Sequence, residues 1–380
     1  MKVLYDAQIF LAQKHGGISR YYYELASSSR YDIETEIAVL YHRNEYLGKI
    51  SQSLPLPQGI NSFLGGKSFP GRGVLFNFKE KLRPSIVPKK ENEKFLVKKI
   101  DLEKPDIFHP TYYNNYFLDN IKGTPFVLTI YDMIHEIYPE YFIGDKTSFL
   151  KRKLFDKAQR VIAISETTKN DILEIYNCPE KKIDVVHLAS SLSPQQNISN
   201  GTEYPEKYIL FVGDRWIYKN FLFFITAISP LLKGDDDLYL VCTGRPFNEK
   251  EIDFFAQNEI SRKILQVSAN DVDLATLYSS ARVFVFPSLY EGFGLPVLEA
   301  FACGCPAILS NTGSLLEIAG DAALYFEPKS TSDIRNAVSK VLSSPLLRAD
   351  LIHKGAQRLK KYSWAKTVEK THEIYRKIIR

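Results

Sequence analysis

Two carboxylates, Glu291 and Glu299, stand eight positions apart in the run Val283-Phe284-Val285-Phe286-Pro287-Ser288-Leu289-Tyr290-Glu291-Gly292-Phe293-Gly294-Leu295-Pro296-Val297-Leu298-Glu299-Ala300. The first four residues are apolar and β-prone, which predicts a buried strand. Gly292 and Gly294 predict a tight turn, and a helix is expected from Leu295 onward. Such a turn leads backbone N–H groups into a helix N-terminus, which suits a phosphate or sugar hydroxyls. Ionised carboxylates only accept hydrogen bonds, so the pair fits vicinal diols. Paired carboxylates also serve glycosidases as acid and nucleophile, a second reading of the same residues. A third reading gives them no chemistry, as one capping and one surface residue.

A second candidate is His15-Gly16-Gly17-Ile18-Ser19-Arg20, which follows an apolar strand and opens a helix. Glycines there let a ligand approach the backbone, and the helix terminus favours an anion. The third glycine of a dinucleotide fingerprint is missing. Asp235-Asp236-Asp237 looks like the Asp-x-Asp of metal-dependent transferases. It falls between a helix ending near Leu232 and a strand starting at Leu238, the wrong end of a sheet for a ligand, so a solvated loop and no metal are expected. His109 and His135 are read either as satisfied structural histidines or as site residues.

The elements that must position these residues alternate. Strands are expected at 2–5, 36–41, 106–109, 126–130, 160–164 and 184–188, with helices between them. The same order restarts at 208–213, with a helix over 219–227 and strands at 238–244, 264–267, 282–286, 307–309 and 323–326. This alternation predicts an α/β chain with parallel sheets covered by helices on both faces. Residues 190–205, rich in Ser, Gln, Asn, Gly and Pro, read as a linker. The expected organisation is two Rossmann-like, doubly wound domains, 1–190 and 206–362, facing across a cleft. A helix at about 364–380, beyond a break at Tyr362-Ser363, is expected to pack back on the first domain. Ligands of open α/β sheets bind beyond the carboxyl ends of the strands. Gly16-Gly17, Tyr131, Arg215 and Glu291 all sit at such ends.

The run Phe286–Ala300 with its Glu-x7-Glu resembles the signature of glycosyltransferase family 4, the retaining group with the GT-B fold. Phe211-Val212-Gly213-Asp214-Arg215-Trp216-Ile217-Tyr218-Lys219-Asn220 resembles that family's Gly-x-Arg…Lys-Asn segment. Ser314-Leu315-Leu316-Glu317-Ile318-Ala319-Gly320-Asp321-Ala322-Ala323 resembles the stretch after the second glutamate. The first half is matched more loosely, through Gly16–Arg20 and Thr129-Ile130-Tyr131-Asp132. The resemblance implies metal-independent transfer of a sugar from a nucleoside diphosphate donor, without a cofactor, the donor being held mainly by the second domain. It implies that Arg215 and Lys219 neutralise the diphosphate, a role two cations past a strand end suit. Glu299 would take the ribose hydroxyls and Glu291 the sugar hydroxyls. The turn Gly292-Phe293-Gly294-Leu295 would reach the sugar and β-phosphate, with Gly17 approaching from the other side. Tyr131 departs from the family's His; a phenol still donates a hydrogen bond but is a poor base near neutral pH. His15, Asp132 and His135 are the acceptor-side candidates. This version of the family is similar to bacterial mannosyltransferases of surface polysaccharide assembly, which implies GDP-mannose as donor, with UDP-linked sugars next.

The totals are compatible with that reading. The chain has 380 residues, 45% hydrophobic and 24% charged, as soluble globular proteins do. No apolar run approaches the roughly 20 residues that span a bilayer. Met1-Lys2-Val3-Leu4-Tyr5-Asp6 runs straight into a strand, so no signal peptide and a cytoplasmic location are expected. Cys178, Cys242, Cys303 and Cys305 lack zinc spacing and read as small packed residues. The net charge of +5 is concentrated between Phe63 and Lys99, where lysines and arginines interleave with Phe69, Phe76 and Phe78. That stretch, partly inside a Gly-, Pro- and Ser-rich insertion at 46–90, reads as a solvated face or as contact with an anionic membrane. No nucleic-acid motif accompanies it. A glycan or lipid-linked acceptor at the inner face of a membrane is therefore expected.

Overall fold

The computed structural model describes residues 1–28, 32–49, 54–55, 86–121, 123–194 and 204–379. The first sheet joins β1 (Lys2–Tyr5), β2 (Glu34–Ile37), β3 (Ile107–His109), β4 (Val127–Ile130), β5 (Arg160–Ala163) and β6 (Ile183–Val185), in spatial order β2-β1-β3-β4-β5-β6. The second joins β7 (Lys207–Phe211), β8 (Leu238–Cys242), β9 (Ile264–Gln266), β10 (Val283–Phe286), β11 (Ala307–Ser310) and β12 (Ala323–Phe326), in order β9-β8-β7-β10-β11-β12. Every pairing within both sheets is parallel, and a bridge between Phe108 and Phe126 joins β3 to β4. Parallel neighbours need long crossovers, and helices supply them. In the first unit these include α1 (Gly17–Ser27), α2 (Ile86–Glu103) and α3 (Glu166–Tyr176). In the second they include α4 (Phe221–Gly234), α5 (Leu295–Ala302) and α6 (Gly313–Ala319). The chain is thus α/β, with two doubly wound sheets. In each sheet the strand order reverses beside the first strand, between β1 and β3 and between β7 and β10. Such switch points open crevices for ligands.

The strands of the second sheet show why its core is stable. Ile209, Phe211, Leu240, Cys242, Val283, Val285 and Ile308 pack into one apolar cluster with α4. Their alternates Tyr208, Leu210, Val241, Phe284, Phe286, Ala307 and Leu309 belong to another, which runs on into the first sheet. Period-two alternation with apolar residues on both faces is what a sheet buried on both sides requires.

The last helix, α7 (Trp364–Ile379), returns to the first unit and packs against α1. Its Arg376 lies 2.9 Å from Asp32 and its Lys377 3.2 Å from Asp184. Buried Tyr375 places its hydroxyl 2.6 Å from His109 Nδ1 and 3.2 Å from the Tyr5 hydroxyl.

Some expected boundaries move. The helix expected over 219–227 is α4, and Lys219 instead ends a short 3-10 turn, Ile217–Lys219. Asn220 separates the two with a left-handed φ of 58°, a conformation asparagine tolerates, and its side chain donates to the Pro328 carbonyl. α4 continues through Pro230 because Phe224, Ile225, Ile228 and Leu232 keep one buried face on both sides of it. The strand expected at 36–41 is β2, two residues earlier and held in register by β1. Asp235 pairs with Lys207 at 2.5 Å and Asp236 is fully exposed, at the N-terminal end of β8. The cysteines are free; Cys242, Cys303 and Cys305 are buried and Cys178 is half-buried. Residues 63–85 of the basic, aromatic stretch lie outside the described residues. On α2, Lys89, Lys90, Lys94 and Lys98 are exposed, whereas Lys99 turns in to pair with Glu36 and Glu103, each at 2.6 Å. Among the described residues no helix is long and apolar enough to cross a membrane.

Candidate active site

A cleft of about 530 Å³ opens where the two switch points face each other. His15, Gly17, Arg20 and Tyr46 line it from the first unit. Gly213, Asp214, Gly244, Asp271, Leu295 and Glu299 line it from the second, and Trp364 from the start of α7. Approach across the cleft is close at Gly17, where a Cβ would stand 2.9 Å from Leu295 Cδ2. α5 begins at Gly294, whose φ of 97° needs glycine, and no side chain caps it. Its first turn therefore carries the positive end of the helix dipole into the second unit's side of the cleft.

Glu299, one turn into α5, lines the cleft and accepts a hydrogen bond of 3.2 Å from the Tyr278 hydroxyl. Burial pushes its carboxyl up to about 7; the Tyr278 bond opposes that rise and the nearby Asp271 charge adds to it. Four residues before Leu295, Glu291 meets Lys219, with Nζ 2.5 Å from Oε1 and both side chains largely buried. The Lys219 ammonium also lies 4.8 Å from the Phe286 ring centre, and the Glu291 carbonyl accepts from Ser314 Oγ at 2.7 Å. A carboxylate and an ammonium held at the tip of β10, beside an uncapped helix start, can divide a sugar hydroxyl and a phosphate oxygen between them. Lys219 and Glu291 do not line the cleft in this structure; the turn 291–295 connects them to it.

Arg215 departs from its expected place. Its guanidinium is only 4% exposed and turns into the domain, 2.7 Å from Glu251, which is likewise buried. It also donates to the carbonyls of Thr243 and Pro246 and lies 4.7 Å from the Phe247 ring centre. A guanidinium with five donors and a buried carboxylate partner holds the 243–251 loop rather than facing the cleft.

Tyr131 also points elsewhere. It is buried, and its hydroxyl donates to the Tyr22 hydroxyl at 3.0 Å. Its backbone N–H donates to the Tyr113 hydroxyl at 3.0 Å. Burial, with Tyr22 and Tyr113 nearby, pushes the phenol well above its ordinary value. A buried phenol needs a partner, and Tyr22, His109 and Tyr375 form a connected set that supplies one. His109 is accordingly structural here, with burial lowering its pKa to about 3.

The acceptor-side candidates divide. His15 lines the cleft, with Nε2 3.1 Å from Glu45. Asp132 lies 3.8 Å from the ammonium of Lys151 and 4.0 Å from His135. His135 is largely buried against the Phe142 ring, and that burial lowers its pKa. Fully buried Lys151 organises this corner by donating to the Asp132 carbonyl at 2.8 Å and to Glu136 at 2.9 Å.

Two further cleft residues are Arg20, which the Gly16–Arg20 motif contains without a role, and Asp271. Arg20 has Nε 2.7 Å from Glu24 and NH1 3.8 Å from Asp271 across the cleft, beneath the Tyr46 ring at 4.9 Å. It lies one helical turn after Gly16-Gly17, and that spacing was the available signal. Asp271 is the first residue of the helix Asp271–Ser280 that follows β9, and its sequence marks a helix start but not a ligand site.

Comparison with known proteins settles the class. Residues 53–189 match the profile for Glycosyltransferase Family 4, and residues 194–358 match the one for Glycosyl transferases group 1. The chain is a glycosyltransferase of the family 4 type. The glycosyltransferase is 28% identical over 300 residues to the O-antigen chain mannosyltransferase B of Escherichia coli, covering 72% of this chain and 74% of that one. It is 28% identical over 222 residues to the O-antigen chain mannosyltransferase RfbU of Salmonella typhimurium, covering 57% and 61%. Against the serotype-specific mannosyltransferase WbdA of Escherichia coli it is 29% identical over 260 residues, 63% of this chain but 32% of that protein. Its fold matches sucrose-phosphate synthase from Thermosynechococcus elongatus with a TM-score of 0.74 at 16% identity, over 100% of this chain and 99% of that one. It also matches Anabaena HepE, solved with UDP and glucose, with a TM-score of 0.71 at 14% identity, over 98% and 99%. The glycosyltransferase is thus a transferase enzyme with the GT-B fold.

Proposed function

We propose that the glycosyltransferase moves a mannosyl residue from GDP-mannose to a glycan or lipid-linked acceptor in surface polysaccharide synthesis, with retention at the anomeric carbon. The observation that carries this reading is the Lys219–Glu291 pair at the start of α5, with Glu299 one turn further along in the cleft. Glu299 suits the ribose diol, the α5 start and Lys219 suit the diphosphate, and Glu291 suits the sugar. The names of the curated relatives favour mannose over other hexoses. In the step itself, the bond from the anomeric carbon to the β-phosphate oxygen breaks. A bond from that carbon to the acceptor oxygen forms on the same face. The acceptor proton passes to the departing phosphate oxygen, so no side-chain base is required, which suits a buried Tyr131. Lys219 stabilises the charge that develops on the leaving diphosphate.

The exposed lysines of α2 support an acceptor met at the inner face of an anionic membrane. Sedimentation with anionic liposomes, reversed by salt, is expected; no salt-sensitive binding would remove that part.

The donor is tested by a thermal-shift panel of GDP, UDP, ADP and their sugar conjugates, followed by product analysis. A ligand that binds only the folded state raises the melting temperature by mass action. GDP-mannose is expected to give the largest shift and a mannosylated product. Preference for a UDP-sugar would replace the donor while leaving the reaction class. The engaged Tyr131 hydroxyl favours one other reading, a nucleotide-sugar-binding protein without transfer. Calorimetric binding without turnover on any offered acceptor would select it.

A further inference from the structure

The turn carrying Glu291 is held on both flanks by the opposite unit. On one side, the Tyr290 hydroxyl donates to Asp171 Oδ2 on α3 at 2.6 Å and accepts from the Met133 backbone N–H at 3.1 Å. On the other, the Gly292 carbonyl accepts from Ser165 Oγ at 2.6 Å and from Thr168 Oγ1 at 3.0 Å. Ser165 is itself the cap of α3, accepting from the Thr168 N–H at 2.9 Å, so one hydroxyl serves both units. Gly292 lies so close to the first unit that a Cβ would stand 1.8 Å from the Tyr131 carbonyl oxygen. Between these two anchored residues, Glu291 is tied to its own unit through Ser314 and Lys219.

We infer that Tyr290 and Gly292 are positioning residues, through which α3 and the 131–133 segment of the first unit set the Glu291 carboxylate against the transferred sugar. This inference rests on the proposed role of Glu291 in donor handling. Neither flanking residue lines the cleft, where Glu299 and Asp271 lie and where the proposed reading places the nucleoside. Their loss therefore acts on the reacting centre and spares nucleotide binding. Misplacing a reacting group by about 1 Å costs up to roughly 100-fold in rate.

The test uses the full chain with Tyr290→Phe, Asp171→Ala and the double variant. Each single change is expected to lower kcat about tenfold or more, with the donor KM within about twofold. The double variant is expected to lose no more than Tyr290→Phe alone, because that change already removes the Asp171 contact together with the Met133 one. Nucleoside diphosphate affinity by calorimetry should match wild type in all three. Unchanged kcat in both singles, or losses that multiply in the double, would overturn the inference. A donor KM that rises in step with the fall in kcat/KM would also overturn it. A second arm needs no turnover. Hydrogen exchange at the amides of Phe293, Gly294 and Leu295 should quicken in Tyr290→Phe while β7 and β8 stay protected. Unchanged exchange there would overturn the inference whatever the activity. Failure of the wild-type chain to turn over any nucleotide sugar counts against the proposed function alone, and the exchange arm still decides the positioning.

Discussion

Arg215 and Lys219 are four residues apart and carry the same charge, yet they have different partners. Arg215 is locked to buried Glu251, and removing it leaves that carboxylate uncompensated. Arg215→Ala is expected to lower stability by about 3 kcal/mol, read from denaturant unfolding. A large loss of turnover at unchanged stability would show instead that Arg215 acts on the donor. Lys219→Ala is expected to lower turnover by roughly 100-fold, measured as product formation at saturating donor. Glu299 adds a pH signature. Its carboxyl is pushed up to about 7 by burial, and a ribose diol bonds best to the ionised form. Nucleoside diphosphate affinity should rise between pH 6 and pH 8, with protons released on binding. Calorimetry in two buffers of different ionisation enthalpy measures this, and Glu299→Gln should abolish the proton release. The sequence made the residue types and their strand-end positions readable. It did not show side-chain direction, because that depends on partners such as Glu251 and Tyr22 that lie tens of residues away.

At the scale of elements, most of the order was legible. Apolar, β-branched runs marked nearly every strand, and the glycines of 292–294 marked the start of α5. Asn220 misled because its left-handed conformation splits what the pattern joins. Pro230 does not end α4, because burial of its face overrides one lost hydrogen bond. The destination of α7 was suggested by the break at Tyr362-Ser363, but its buried polar contacts were not. Tyr375→Phe removes the hydroxyl bonded to His109 and Tyr5. It should cost about 1 to 3 kcal/mol, because His109 is left short of a partner in a dry site. A melting temperature equal to wild type would mean the cluster is not cohesive.

At the scale of the whole molecule, the relation of the two units was the least readable part. It depends on contacts between residues far apart in the chain. Glu317 on α6 illustrates this. Its carboxylate accepts from the backbone N–H groups of Glu166 and Thr167, each at 2.9 Å, at the start of α3 in the other unit. It also faces His187 Nε2 at 2.9 Å. Burial alone would raise its pKa, but the His187 bond and the α3 amides outweigh it and hold the carboxyl below its ordinary value. A depressed carboxyl contributes stability that is present above its unfolded value and is lost as pH falls through its folded value. The gap in melting temperature between wild type and Glu317→Gln should therefore be widest above about pH 5 and should close as the pH is lowered further. A gap that widens on acidification would contradict this assignment.

The pocket assembled by α5, Lys219 and the cleft is proposed to handle a nucleotide sugar for transfer. The most direct measurement is nucleoside diphosphate release from GDP-mannose and UDP-hexoses by wild type, Lys219→Ala and Glu291→Ala, with a glycan acceptor. Acceptor-dependent release from one donor, falling by roughly 100-fold in each variant, is the predicted result. Wild-type rates in both variants, or cleavage of a simple glycoside with no nucleotide present, would contradict it.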